Sequence, residues 1–268
     1  MNREKNGGEE VKAALKDGLI SLADTLAAAI QNAGGEILLR QPIECLWETR
    51  HGVRLAGRGM EAEFDAVIST LPMPLLRDMA DSALAPKIPL PEIEYQGVVN
   101  VMLTLKKQLN QHYWTAVVDS DFPFQGVVET THVIRPEWTG ERHLVYLMNY
   151  CSAKSNSYLA ADELLVEQAI GGLSRLYGNF RAENVESAHV FRAPHVEPVW
   201  TKGYLRRPAA RVAGSRVFLA TTAQAYPMVT SWNTSVKLAD EAIAALVSSE
   251  IGDTGRSGTV SRSKVAVA

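Results

Sequence analysis

Between Leu19 and Asn32 apolar residues recur at intervals of three and four: Leu19, Leu22, Ala23, Leu26, Ala29 and Ile30 share one face of a predicted helix. Gly34 and Gly35 stop it, since glycine accepts the left-handed conformation in which helices end. The pattern then changes period. EILLR, IECLWE and VRLA are short apolar or alternating bursts separated by QP, TRHG and GRG, which predicts a meander of strands. The run FDAVISTLP enters a proline-rich connection from LPMP to PKIPLPEIE, a natural crossing between subdomains.

Beyond that connection YQGVVNVMLTLKK, YWTAVV, FQGVVETTHVI and RHLVYLMNYC are long and rich in β-branched and aromatic residues, as a mostly antiparallel sheet requires. Helical period returns in ADELLVEQAIGGLSRLY, with Asp162 and Glu163 in the first turn, where the helix dipole favours carboxylates. VESAHVFRA reads as another strand, RVFLA as a further one and NTSVKLADEAIAALV as a closing helix. The order predicts a mixed α/β (α+β) fold. The expected partition is a polar lead over 1–17, a first α/β segment over 18–72, a sheet domain over 73–195, a closing strand and helix over 196–249, and a disordered tail over 250–268.

The charge balance, 27 Lys and Arg against 30 Asp and Glu, offers no basic surface for nucleic acid. No apolar run approaches the roughly 20 residues of a membrane span, and MNREKNGGEE has nothing like a signal sequence. Cys45 and Cys151 lack CxxC spacing and read as reduced, buried thiols of a cytoplasmic protein. The six histidines show no HxH or HxxxH spacing, so no locally assembled metal site is expected. GRGMEA satisfies GxGxxA only formally, because a strand follows it; it reads as a hairpin turn.

Two stretches carry a family resemblance. DGLISLADTLAAAIQNAGGEILLRQPIECLWETRHGVRLAGRGMEAEFDAVISTLP resembles the corresponding stretch of flavin-dependent amine oxidases and protoporphyrinogen oxidases, and RVFLATTAQAYPMVTSWNTSVKLADEAIAAL is similar to their C-terminal flavin motif. The resemblance implies a partial FAD-binding domain interleaved with an antiparallel-sheet substrate domain, FAD as cofactor, and hydride transfer from a small-molecule substrate. That family opens on a βαβ unit with a GxGxxG turn that cradles the flavin pyrophosphate. The present sequence has no GxGxxG. It therefore reads as the C-terminal portion of such an oxidoreductase, with a missing N-terminal half or partner chain, weak or absent FAD binding alone, and uncovered apolar surface that favours self-association.

On the same resemblance, the backbone of Ser231 to Thr234 would stabilise negative charge on the flavin ring, as a helix N-terminus does. Thr221 and Thr222 would reach the ribityl chain, Trp232 and Tyr226 would wall the substrate pocket, Ile43 would present backbone to the adenine, and Thr70 with Pro72 would end a strand beside the ring. Each has a plainer reading. Ser231, Asn233 and Thr234 suit a helix cap, Tyr226, Trp232 and Ile43 suit core packing, and Thr70 suits a proline-terminated strand. No catalytic residue is assigned: Lys106 and Lys202 do not align with the family's strand lysine. A non-catalytic binding module and a sugar-nucleotide mutase-like flavoprotein are the alternative classes.

Overall fold

The structure is a computed structural model that describes residues 14–89, 93–202, 204, 207–253 and 264–267. Most of the polar lead and most of the tail lie outside these residues. The chain forms two compact units, one from residues 1–37 and 96–194, the other from residues 38–95 and 195–268. The sheet unit thus begins at Gln96, and residues 73–95 fold with the flanking segments, which differs from the partition expected from the proline-rich stretch.

The first unit opens with α1 (Gly18–Asn32), and Gly34 leaves it at a φ of +85°, the left-handed stop that the Gly-Gly pair signalled. Its sheet runs in the order β6 (Trp114–Ala116), β7 (Gly126–Glu129), β8 (His143–Cys151), β5 (Glu94–Leu105), β9 (Val185–Val199). Alternation in β5 turns Val99, Val101, Leu103 and Leu105 inward while their neighbours stay part-exposed. After a single turn, α3 (Asn156–Leu159), the helix α4 (Asp162–Leu176) lays Leu165, Ala169 and Leu173 into that same cluster. Gly172 permits the approach, since a Cβ there would stand 2.7 Å from the Phe124 ring.

Among the described residues, one carboxyl group lies fully inside this unit. The Glu129 side chain has no solvent exposure, and each of its oxygens meets one backbone amide and one imidazole. Leu109 N–H donates to Oε1 and Asn110 N–H to Oε2, both at 3.1 Å; His143 Nδ1 stands 3.3 Å from Oε1 and His132 Nε2 3.4 Å from Oε2. The carboxylate ties the loop after β5 to β7 and β8.

The second unit holds two three-stranded sheets. β1 (Ile43–Glu48), β2 (Val53–Gly57) and β3 (Met60–Phe64) form an antiparallel meander, and Gly57 opposite Met60 makes GRGM the hairpin turn that the sequence indicated. The other sheet is parallel, in the order β10 (Val217–Leu219), β4 (Ala66–Ser69), β11 (Val265–Val267). β4 is buried on both faces, which is why it is a continuous apolar run without alternation. Ala66 and Ile68 pack with Phe218 against Ala242 and Leu246 of α5 (Trp232–Asp253). Val67 and Leu219 face the opposite way, onto Leu46, Leu55 and the Met73 and Leu76 side chains of α2 (Met73–Met79).

Four expectations are corrected. EILLR forms no strand; Arg40 adopts a φ of 59° there and breaks the run. Cys45 is exposed, on the outward register of β1, and only Cys151 is part-buried. The tail is not wholly irregular: Val265–Val267 pairs with β4, and 254–263 lie outside the described residues. Finally, α1 has the predicted helical stripe but buries none of it, with Leu19, Leu26 and Ile30 exposed by 65%, 55% and 47%. Period defines a face; it does not supply the surface that covers it. Leu26→Ala is accordingly expected to change the stability of this chain by no more than about 0.5 kcal/mol in chemical denaturation, the scale of a surface substitution. A loss of several kcal/mol would place Leu26 in a core.

Candidate functional site

The feature that gathers chemistry is the strand-to-helix passage from β10 to α5. β10 and β4 run parallel with Leu219 beside Ser69, and the Ala220 amide donates to the Ser69 carbonyl at 2.9 Å. Thr70 and Thr221 therefore follow the carboxyl ends of neighbouring parallel strands, the edge at which open α/β sheets bind ligands. Thr221 then enters a one-turn 3-10 helix, Thr222–Gln224. The buried Gln224 amide locks the corner: its Oε1 accepts the Thr221 N–H at 2.9 Å and its Nε2 donates to the Pro208 carbonyl at 3.3 Å.

After the loop at Tyr226 to Thr230, Ser231 caps α5. Its Oγ accepts the Thr234 amide at 3.2 Å, the Ser231 and Thr234 hydroxyls are 2.9 Å apart, and Thr234 Oγ1 donates to the Val229 carbonyl at 2.9 Å. Capping is thus the structural work of Ser231 and Thr234, as their plainer reading held. The amides of Trp232 and Asn233 belong to the first turn, where α-helical geometry offers no acceptor within the helix. These two donors, at the positive end of a long helix, remain for an anionic or electron-rich group.

Beside the turn is a cavity of about 390 Å³ bounded by Arg207 and Gln224, by Tyr226 and Met228, and by Thr234 and Lys237 of α5. Arg207 is held in place by a 3.2 Å bond to the Gln224 carbonyl and a 2.7 Å ion pair with Glu241. Tyr226, 39% exposed, belongs to an aromatic trio: Trp200 and Tyr204 have ring centroids 4.8 Å apart, and Tyr226 stands 5.5 Å from Trp200 and 5.6 Å from Tyr204. The Tyr204 hydroxyl donates to the Ala223 carbonyl at 3.1 Å. Burial, aided by neighbouring Tyr95, pushes the Tyr204 phenol up to about 12, so it stays a protonated donor across the physiological range.

The structure brings Thr70, Thr221 and Thr222 together at the sheet edge and places Tyr226, Ser231, Trp232, Asn233 and Thr234 along the following turn. Trp232 is 55% exposed, which sets aside its reading as packed core. Ile43 stands apart from this turn in sequence and sheet: it opens β1 and packs part-buried against the Leu46 and Leu55 cluster. Trp200, Tyr204, Arg207, Gln224 and Lys237 escaped the sequence reading. The signal for the aromatic pair is its placement in EPVWTKGYLRRP, a stretch whose prolines and glycine interrupt any strand or helix period that would give large rings a core to fill. Among the described residues no group of His, Cys, Asp and Glu could hold a metal ion, and no helix is long and apolar enough to cross a membrane.

A parallel sheet that ends in a capped helix start, in a chain whose other unit is an antiparallel sheet, defines a mixed α/β protein. The model of the flavin-containing amine oxidoreductases matches residues 1–231, and the chain belongs to that family. Solved structures share the fold at low identity. A putative protoporphyrinogen oxidase from Exiguobacterium sp. 255-15 is 18% identical with a TM-score of 0.69, over 89% of this chain and 52% of that one. An oxidoreductase from Methanosarcina mazei is 16% identical with a TM-score of 0.61, over 86% and 54%. Putrescine oxidase bound to putrescine is 14% identical with a TM-score of 0.60, over 86% and 53%. The chain thus spans about half the length of these three structures. No curated protein matches it.

Proposed function

We propose that this chain supplies the ring side of an FAD site in an oxidoreductase that removes a hydride from a small organic substrate. The observation that carries this reading is the capped start of α5, with the Trp232 and Asn233 amides left over, opening beside the Thr221 corner and the aromatic-walled cavity. The donor set fits the electron-rich edge of a flavin ring, and the Thr70, Thr221 and Thr222 hydroxyls fit its polyol side. FAD, when bound, accepts the hydride. What the chain itself contributes is orientation, hydrogen bonding at the first turn of α5, and a wall of Tyr226 and Trp232 that keeps water from the reacting face.

The phosphate side is a different matter, because a pyrophosphate is held by a glycine-rich turn at a helix start and the sequence contains no GxGxxG. Titration of the chain with FAD, followed by flavin fluorescence, should therefore show weak binding or none. Tight stoichiometric uptake would overturn the division of the site into a ring side and a phosphate side. In the flavin-loaded protein Trp232→Ala should lower turnover more than flavin retention, because it removes a wall and leaves the backbone donors. The same missing turn favours a second reading, a non-catalytic binding module. Failure of flavin to bind even when a phosphate-binding segment is supplied would establish it.

A further inference from the structure

The cavity beside the β10 to α5 passage has walls of two kinds. Tyr226, Pro227, Met228 and Leu238 give it an apolar side, Arg207 and Lys237 give it a cationic one, and no Asp or Glu is among the described residues that line it. Thr234, Lys237, Leu238 and Glu241 follow one another at helical spacing, so they share the face of α5 that meets Arg207 through its 2.7 Å ion pair with Glu241. The acceptors around the cavity are already engaged. The Gln224 side-chain oxygen accepts the Thr221 amide, the Gln224 carbonyl accepts Arg207, and the Thr234 hydroxyl is bound to Ser231 and Val229. Donors are in surplus. A guanidinium has five N–H groups, and those of Arg207 serve only the Gln224 carbonyl and Glu241 among the described residues, where the Lys237 ammonium has no hydrogen bond or ion pair. Once the Arg207 and Glu241 pair is set aside, Lys237 leaves the lining with an uncompensated positive charge.

We propose that this cavity takes a small organic acid, with its carboxylate on Arg207 and Lys237 and its hydrocarbon body against Tyr226, Met228 and Leu238. A carboxylate brings only acceptors, which is what the surplus donors need; an amine would bring more donors and a like charge. The two bonds already made by Arg207 hold its planar fork in place, so little side-chain freedom is left to lose when a carboxylate arrives. A volume of about 390 Å³ with one apolar side suits an organic body rather than a bare inorganic anion. That the acid is the substrate of the oxidoreductase rests on the flavin reading; its recognition by these side chains does not.

The test is titration calorimetry of the whole chain, without flavin, using benzoate, benzamide and benzylamine as probes that share a ring and differ in charge. Benzoate should bind with a Kd at or below about 1 mM, and benzamide and benzylamine at least roughly tenfold more weakly. Lys237→Gln should weaken benzoate by about tenfold and leave the thermal midpoint where it was, because Lys237 makes no bond to lose, while Lys237→Arg should keep the affinity. Inorganic phosphate at the same concentration should not displace benzoate. Benzylamine or benzamide binding as well as benzoate, benzoate indifferent to Lys237→Gln, or displacement by phosphate overturns the proposal. Flavin uptake, measured separately, distinguishes the two readings. Benzoate binding that depends on Lys237 in a protein that never takes up flavin leaves the acid site standing and defeats the oxidoreductase, whereas flavin uptake with no preference for benzoate does the reverse.

Discussion

Glu129→Ala is expected to destabilise the protein by about 2 to 5 kcal/mol, because it leaves two amide donors unsatisfied at about 1 to 3 kcal/mol each. The substitution leaves the Leu109 and Asn110 amides without their acceptor and two imidazoles facing a void. It also frees the loop after β5 from β7 and β8. Glu129→Gln, which keeps one acceptor oxygen, should cost less. The measurement is the free energy of urea unfolding of each variant. A loss below about 1 kcal/mol for Glu129→Ala would mean that the two amides find other acceptors at little cost.

Phe218→Ala should have a comparable effect, about 3 to 5 kcal/mol, because it empties the junction between the parallel sheet and α5. The ring is 1% exposed, packs with Ala66, Ile68, Ala242 and Leu246, and lies 5.5 Å beneath the Arg211 guanidinium. The consequence extends to the candidate site. α5 carries Thr234, Lys237 and Leu238, which line the cavity, so loosening its seat on β10 and β4 moves that wall. Thermal unfolding should show the loss directly, and near-ultraviolet dichroism of the native state should show the Trp200, Tyr204 and Tyr226 trio disturbed. An unchanged midpoint would mean that α5 is anchored elsewhere.

The parts of the fold that could be read from the sequence are those in which local pattern and tertiary surroundings agree. The period-two alternation of β5 and the helical period of α4 both report a single buried face, and both elements formed where expected. The turn at Thr221 to Thr234 was conspicuous because hydroxyls and aromatics crowd between an apolar strand and a helix, and the cap at Ser231 followed from residue type. The aromatic trio was less accessible. Trp200 and Tyr204 are separated from Tyr226 by more than 20 positions, and only the return of the chain past the Gln224 corner brings the three rings within 6 Å.

The sequence by itself determined which residues have a face to bury and which have a backbone group to satisfy, because spacing, capping residues and glycines act through bonds to near neighbours. It therefore specified α1 as a helix, GRGM as a hairpin and the helix start after Ser231. Only the tertiary structure decided what each face meets. Ala66 to Ser69 lies between α5 and the β1 and β2 sheet and is fully buried, whereas the equally apolar stripe of α1 has no buried residue among the described ones. Likewise Val265 to Val267, too short to announce itself in a polar tail, becomes a strand because β4 presents a free edge nearly 200 residues earlier in the chain. Burial of apolar surface is non-directional and indifferent to sequence separation, so its outcome is fixed by which surfaces the chain brings together.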